Sequence, residues 1–146
     1  MISLFGVADP TVQRALLELC FAARPAERDL AVLERAIQAD ALTDGQHRML
    51  PWVARRLPEG GLSPFAESRV RGTYKHTLYR NHLLLDRAQR LRQALLQAGL
   101  GECVFLKGVS MALTNPHGLG ARPMADIDLL LGGIQHRSEE ALAFFA

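Results

Sequence analysis

Residues 64–96 constrain this chain most. Ser63-Pro64 opens the stretch, no further proline interrupts it, and Gly99 stands just past its end, a start and stop pattern that predicts one very long helix. At about 100° per residue, Val70, Tyr74, Thr77, Leu84, Leu85, Ala88, Leu91 and Leu95 share one broad side. Such a helix is on the order of 50 Å long at 1.5 Å per residue, longer than a small domain is wide. A chain of 146 residues built around it is predominantly helical, with little room left for sheet. Gly72 weakens the middle of the run, so two helices meeting near that point are the alternative.

The segment before it also reads as helical. Asp9 is placed to cap a helix with Pro10 at its first position, and Val12, Ala15, Leu16, Leu19, Cys20 and Ala23 recur at helical spacing. Arg24-Pro25 ends that run. A second helix is predicted over about residues 26–40 with Leu30, Leu33 and Ile37 inward. Thr43 and Gln46 have capping-box spacing, and the helix they introduce carries Met49, Leu50, Val53 and Leu57, with Pro51 near its start or kinking it. Trp52 is expected in the core.

Residues 99–146 change character: strand, helix, loop, strand, helix. Glu102-Cys103-Val104-Phe105-Leu106 reads as a short buried strand, followed by Lys107-Gly108 and a helical turn at Val109-Ser110-Met111-Ala112-Leu113. Asn115-Pro116-His117-Gly118-Leu119-Gly120 is a loop, and Asp126-Ile127-Asp128-Leu129-Leu130 is a second strand, ended by Gly132-Gly133. Strand geometry repeats every two residues, so Asp126 and Asp128 project from one face while Ile127 and Leu129 pack on the other. Two adjacent carboxylates resist ionising together unless a cation lies between them. A hard divalent ion such as Mg²⁺ suits that position, since it takes carboxylate oxygens together with substrate phosphates. Lys107-Gly108 can receive the phosphate: the glycine admits a close backbone approach, the helix start offers N–H groups, and the lysine adds a positive charge. By residue type alone Lys107 is a solvated lysine at a strand end, and an isolated Asp-x-Asp is common at turns. Their combination makes them candidates.

Leu106-Lys107-Gly108 and Arg122-Pro123-Met124-Ala125-Asp126-Ile127-Asp128 resemble the nucleotidyltransferase superfamily typified by DNA polymerase beta, and most closely its uncharacterised branch, over residues 103–133. Residues 1–65 add little to the likeness. The resemblance implies an α+β fold in which a helical amino-terminal region, residues 1–62, and a connecting helix, residues 63–98, pack on a minimal, incomplete nucleotidyltransferase core at residues 99–146. It also implies Asp126 and Asp128 as catalytic metal ligands for Mg²⁺, and Lys107, Gly108, Ser110 and Arg122 as residues that hold a nucleoside triphosphate. The reaction implied is transfer of a nucleoside monophosphate to an acceptor hydroxyl. Two departures accompany it. Many members have Gly-Ser or Gly-Gly where this chain has Lys107-Gly108, so Ser110 either stabilises the helix start or touches the ligand. Arg122 likewise either contacts phosphate or neutralises Asp126. A third carboxylate, expected from a later strand, is not matched by Glu139 and Glu140, which fall in a helical stretch at residues 135–145, so it is expected from residues beyond 146, from another chain, or not at all. The rival reading is a non-catalytic nucleotide-binding or protein-interaction domain, with self-association through an open sheet edge.

Composition trims the remaining options. A hydrophobic share of 49% with 22% charged residues describes a globular chain with a core, and a net charge of +2 is too small to argue for nucleic acid. Arg69, His76, Arg80 and Arg87 form a ridge on the long helix that suits an anionic partner, although its acidic neighbours favour a solvated face. The five histidines lack paired ligand spacing, which argues against a zinc site. Cys20 and Cys103 read as reduced thiols. Residues 1–6 lack a basic leader and no run approaches the roughly 20 apolar residues of a spanning helix, so neither a membrane nor a secreted location is expected and the chain reads as cytoplasmic.

Overall fold

The computed structural model describes residues 9–132 and 138–145; the sequence expectations for residues 1–6, Gly133 and residues 135–137 lie outside them. Two units emerge, one of residues 9–78 with 120–123, the other of residues 79–119 with 124–132 and 138–145.

In the first unit, helix α1 (Pro10–Phe21) is capped by Asp9, whose carboxylate accepts the Thr11 N–H at 2.8 Å, with Pro10 at the first position. Helix α2 (Glu27–Gln38) buries Leu30, Leu33, Ala36 and Ile37, matching its periodicity. It closes with Asp40 in the left-handed region, φ 49°, so that the Ala41 N–H reaches back to the Ala36 carbonyl at 3.0 Å. The short helix α3 (Asp44–His47) has the full capping box, Thr43 and Gln46 each bonding the other's backbone N–H. Helix α4 (Leu50–Arg56) resolves the position of Pro51, which lies in the first turn, where no hydrogen bond is lost. Leu16, Leu19, Leu33, Leu50, Val53 and Val70 are fully buried together. Arg56 donates to the Cys20 carbonyl at 2.9 Å and also to the Ala22 carbonyl, satisfying acceptors that the end of α1 leaves open. Burial pushes the Cys20 thiol up to about 11, against the opposing charge of Arg56. Trp52 departs from expectation: it is 37% exposed, beneath the Arg55 guanidinium, because Leu50 and Val53 already fill the inward side of α4.

Helix α5 (Pro64–Gln97) is one helix of 34 residues, and Gly72 does not break it; that glycine is exposed, with open space around it. Its end follows the predicted stop. Gly99 takes φ 69°, the Leu100 N–H reaches the Leu95 carbonyl and the Gly99 N–H reaches that of Leu96, both at 3.0 Å, and Leu95 packs against Leu100.

The second unit holds the carboxy-terminal half of α5, strand β1 (Cys103–Phe105), helix α6 (Lys107–Thr114), a 3₁₀ turn (Pro116–Gly118), strand β2 (Leu129–Leu131) and helix α7 (Ser138–Phe145). The strands are antiparallel, with Cys103 opposite Leu131 and Phe105 opposite Leu129. Cys103, Leu129 and Leu131 pack on Leu91, Leu95, Leu100 and Ala141, whereas the paired Val104 and Leu130 point outward at 60% and 59% exposure. The fold is thus predominantly helical α+β with a small two-stranded sheet. Among the described residues, both cysteines are free thiols and no helix is long and apolar enough to cross a membrane.

Candidate functional site

Strand β2 is shorter than the apolar run suggests. It begins at Leu129, leaving Asp126 and Asp128 in irregular chain just before it. Pairing nevertheless carries one step beyond the strand, since the Leu106 N–H donates to the Asp128 carbonyl at 2.9 Å. That bond sets Leu106 opposite Asp128 and delivers Lys107 beside it. The Lys107 ammonium then meets Asp128 Oδ1 at 3.0 Å.

Both acids act on that one ammonium. The hydrogen bond to Asp128 raises the Lys107 pKa above its ordinary 10.5 and the Asp128 charge adds to this; desolvation opposes the rise, and Asp126 contributes least, in the raising sense. Asp126 is exposed and the Asp128 side chain is 30% accessible, so a group arriving from solvent can reach both.

The turn itself is built differently from its sequence signature. Lys107, not Gly108, occupies the left-handed region, with φ 47°. For a residue with a Cβ this conformation costs about 1–2 kcal/mol, and here it is held between the end of the ladder and the first turn of α6. Gly108 packs closely: a Cβ there would stand 3.0 Å from Met124 Sδ and 3.1 Å from its Cγ, so the Met124 side chain would have to give by a few tenths of an ångström. Helix α6 opens at Leu106 without any side-chain cap, so Ser110 does not supply one. Ser110 is half-buried one turn in, where its carbonyl accepts from the Thr114 hydroxyl at 3.1 Å. The uncapped first-turn N–H groups at the Lys107-Gly108 end are what such a turn offers an anion. Arg122 is an exposed residue of the first unit, and its phosphate role rests on the resemblance alone.

Asn81 is the residue that sequence reasoning missed. It is 1% exposed on α5; its amide donates to the Leu119 carbonyl at 2.6 Å and its Oδ1 accepts the Met124 N–H at 3.1 Å, so it clasps the segment that runs into the aspartates at both ends. The signal was present: Asn81 lies four residues after Thr77 and seven from both Tyr74 and Ala88, in the middle of the helix's buried side. A polar residue there needs partners.

The chemistry of this donor set fits a hard cation. Asp126 and Asp128 offer only oxygens, Asp128 already holds the Lys107 ammonium, and both can be reached from solvent. Among the described residues, no group of three or more His, Cys, Asp or Glu could hold a metal ion, and Glu139 and Glu140 are exposed on α7.

No curated protein and no solved structure matches the chain. A family model described as uncharacterised nucleotidyltransferase matches residues 43–142, from the capping box at Thr43 through α3, α4 and α5 to both motifs. The match extends well towards the amino terminus of the motif likeness, taking helices of the first unit into the family domain. With the Lys-Gly turn and the aspartate pair both inside the matched residues, the chain belongs to this uncharacterised nucleotidyltransferase family.

Proposed function

We propose that this protein is a metal-dependent nucleotidyltransferase that moves a nucleoside monophosphate from a nucleoside triphosphate to an acceptor hydroxyl. The observation that carries this reading is the Lys107–Asp128 ion pair at 3.0 Å, two residues after the exposed Asp126 and beside the uncapped start of α6. Asp126 and Asp128 would hold Mg²⁺, which when bound supplies charge neutralisation at the α-phosphate. Lys107 would pair with an outer phosphate, and the N–H groups at the head of α6 would donate to the same anion. The acceptor oxygen attacks the α-phosphorus, the bond from that phosphorus to the bridging oxygen breaks, and pyrophosphate leaves with the electron pair. The acceptor proton passes to a base outside the described residues or to solvent. A cytoplasmic site of action belongs to the same reading.

A second reading has its own support. Val104 and Leu130 present an apolar pair on the outer face of the sheet, with Leu106, Met111 and Leu113 exposed nearby in sequence, as a partner-binding domain would. Pyrophosphate release separates the two. With ATP or GTP, Mg²⁺ and a panel of hydroxyl acceptors, the native chain is expected to release pyrophosphate and Asp126→Asn/Asp128→Asn is not. Nucleotide binding without release from any acceptor favours the non-catalytic domain.

A further inference from the structure

Beside the aspartates lies a cleft that the transfer reading does not use. It holds about 170 Å³ and is lined by Arg80, Leu83, Leu84 and Arg87 of α5 and by Met124 and Ala125. Arg80 and Arg87 are seven residues apart, hence on one side of the helix and about 10 Å apart along its axis. Neighbouring arginines on the same half of the helix are paired, Arg90 with Asp86 at 2.9 Å and Arg92 with Glu102 at 3.9 Å. Among the described residues, Arg80 and Arg87 have no acidic partner. Both are exposed, as the sequence expectation of a solvated basic ridge has them, and their guanidinium groups are open to an arriving anion. They line the cleft together with Leu83, Leu84, Met124 and Ala125, so an anion entering it meets two guanidinium groups.

The opposite wall is fixed. The Met124 N–H is held by Asn81, which sits on α5 directly after Arg80, and the Met124 side chain closes against Gly108. Met124 thus stands between the Lys-Gly turn and the arginine cleft, and Ala125 joins the cleft to Asp126 through one peptide bond. Pockets that take a whole drug-sized ligand hold about 300–1,000 Å³, so this cleft suits one compact anionic group rather than a nucleotide.

We propose that Arg80 and Arg87 bind a phosphate carried by the acceptor substrate, on the far side of Met124 from the site that receives the triphosphate. Guanidinium groups match phosphate oxygens in bidentate geometry, and these two stand two turns apart on one side of the same helix. The assignment of that phosphate to the acceptor rests on the transfer reading. The anion site itself does not.

The probes are inorganic phosphate and Mg·ATP, each measured by equilibrium dialysis at low ionic strength. Arg80→Gln/Arg87→Gln is expected to weaken phosphate binding at least tenfold and to change Mg·ATP binding less than twofold. Arg80→Lys/Arg87→Lys, which keeps the charge, retains a larger share of the phosphate affinity, and Lys75→Gln, in the first unit, leaves it unchanged. Asp126→Asn/Asp128→Asn loses Mg·ATP and keeps phosphate. If phosphate binds equally well without the arginines, or weakens as much in Lys75→Gln, the site is refuted. If Mg·ATP falls together with phosphate in the arginine variant, the cleft serves the nucleotide and the acceptor assignment is overturned. Arginine-dependent phosphate binding with no Mg·ATP binding in any variant supports the anion site and rejects the transfer reading.

Discussion

The two units spend their apolar residues in opposite ways. In the first, leucines and valines from α1, α2, α4 and the start of α5 meet in one continuous cluster, and Leu16 and Leu33 are wholly enclosed. In the second, the enclosed cluster is small, centred on Leu95, Leu100 and Ala141, while Val104, Leu130 and Leu142 remain largely exposed. Yet the second unit carries the strained Lys107, the buried polar clasp of Asn81 and the acidic pair. The difference teaches where each property comes from: the helical cluster supplies stability through burial, and the sparse unit supplies a polar site held by a few directed bonds.

The largest expected effect tests the stability half. Leu33→Ala should lower unfolding free energy by about 2–5 kcal/mol, because it opens a cavity at a site with no exposure. Val104→Thr/Leu130→Thr should change it by less than about 0.5 kcal/mol, since both side chains already face solvent. Urea titration of the variants reads both; comparable losses would erase the contrast between the units.

Next in size is the clasp. Asn81→Ala strands the Leu119 carbonyl and the Met124 N–H, at about 1–3 kcal/mol for such unsatisfied groups. Because Met124 leads directly to Asp126, the same variant should also weaken Mg·ATP binding, and Asn81→Asp should restore only the bond to the Met124 N–H. A destabilised protein with unchanged nucleotide affinity would make Asn81 purely structural and sharpen the division between the units.

The smallest effect concerns the exposed ion pair. The Lys107 pKa is raised in the folded chain, so the contribution of its pair with Asp128 is complete below the ordinary 10.5 and is lost as pH rises through the higher folded value. The difference in urea midpoint between the native chain and Lys107→Met should therefore be constant near neutrality and shrink only in strongly alkaline solution. A difference that disappears already near pH 8 would mean that the lysine and the aspartate do not meet in solution.

Much of the helical unit was legible because its signals are local. Asp9-Pro10, the Thr43 and Gln46 box, and Gly99 after the apolar repeat of α5 each specify a backbone geometry through neighbours a few residues away, and the structure has each of them. The motif residues were legible as candidates, and the family match covers them. What the sequence concealed depends on contacts far apart in the chain. The left-handed Lys107 stands directly after a ladder bond between Leu106 and Asp128, and Gly108 lies against the Met124 side chain. Asn81 and the arginine cleft likewise become visible only once the Leu119 and Met124 backbones are brought to α5. Trp52 misled because size alone does not tell which side of a short helix faces inward.

The central claim is that Asp126 and Asp128 make nucleotide binding depend on a divalent ion. Calorimetric titration of ATP into the native chain, with Mg²⁺ and then with EDTA, tests it most directly. The account predicts binding at least tenfold tighter with Mg²⁺, and loss of that gain in Asp126→Asn/Asp128→Asn. Equal affinity under both conditions, or a Mg²⁺ effect that survives the double substitution, would contradict it.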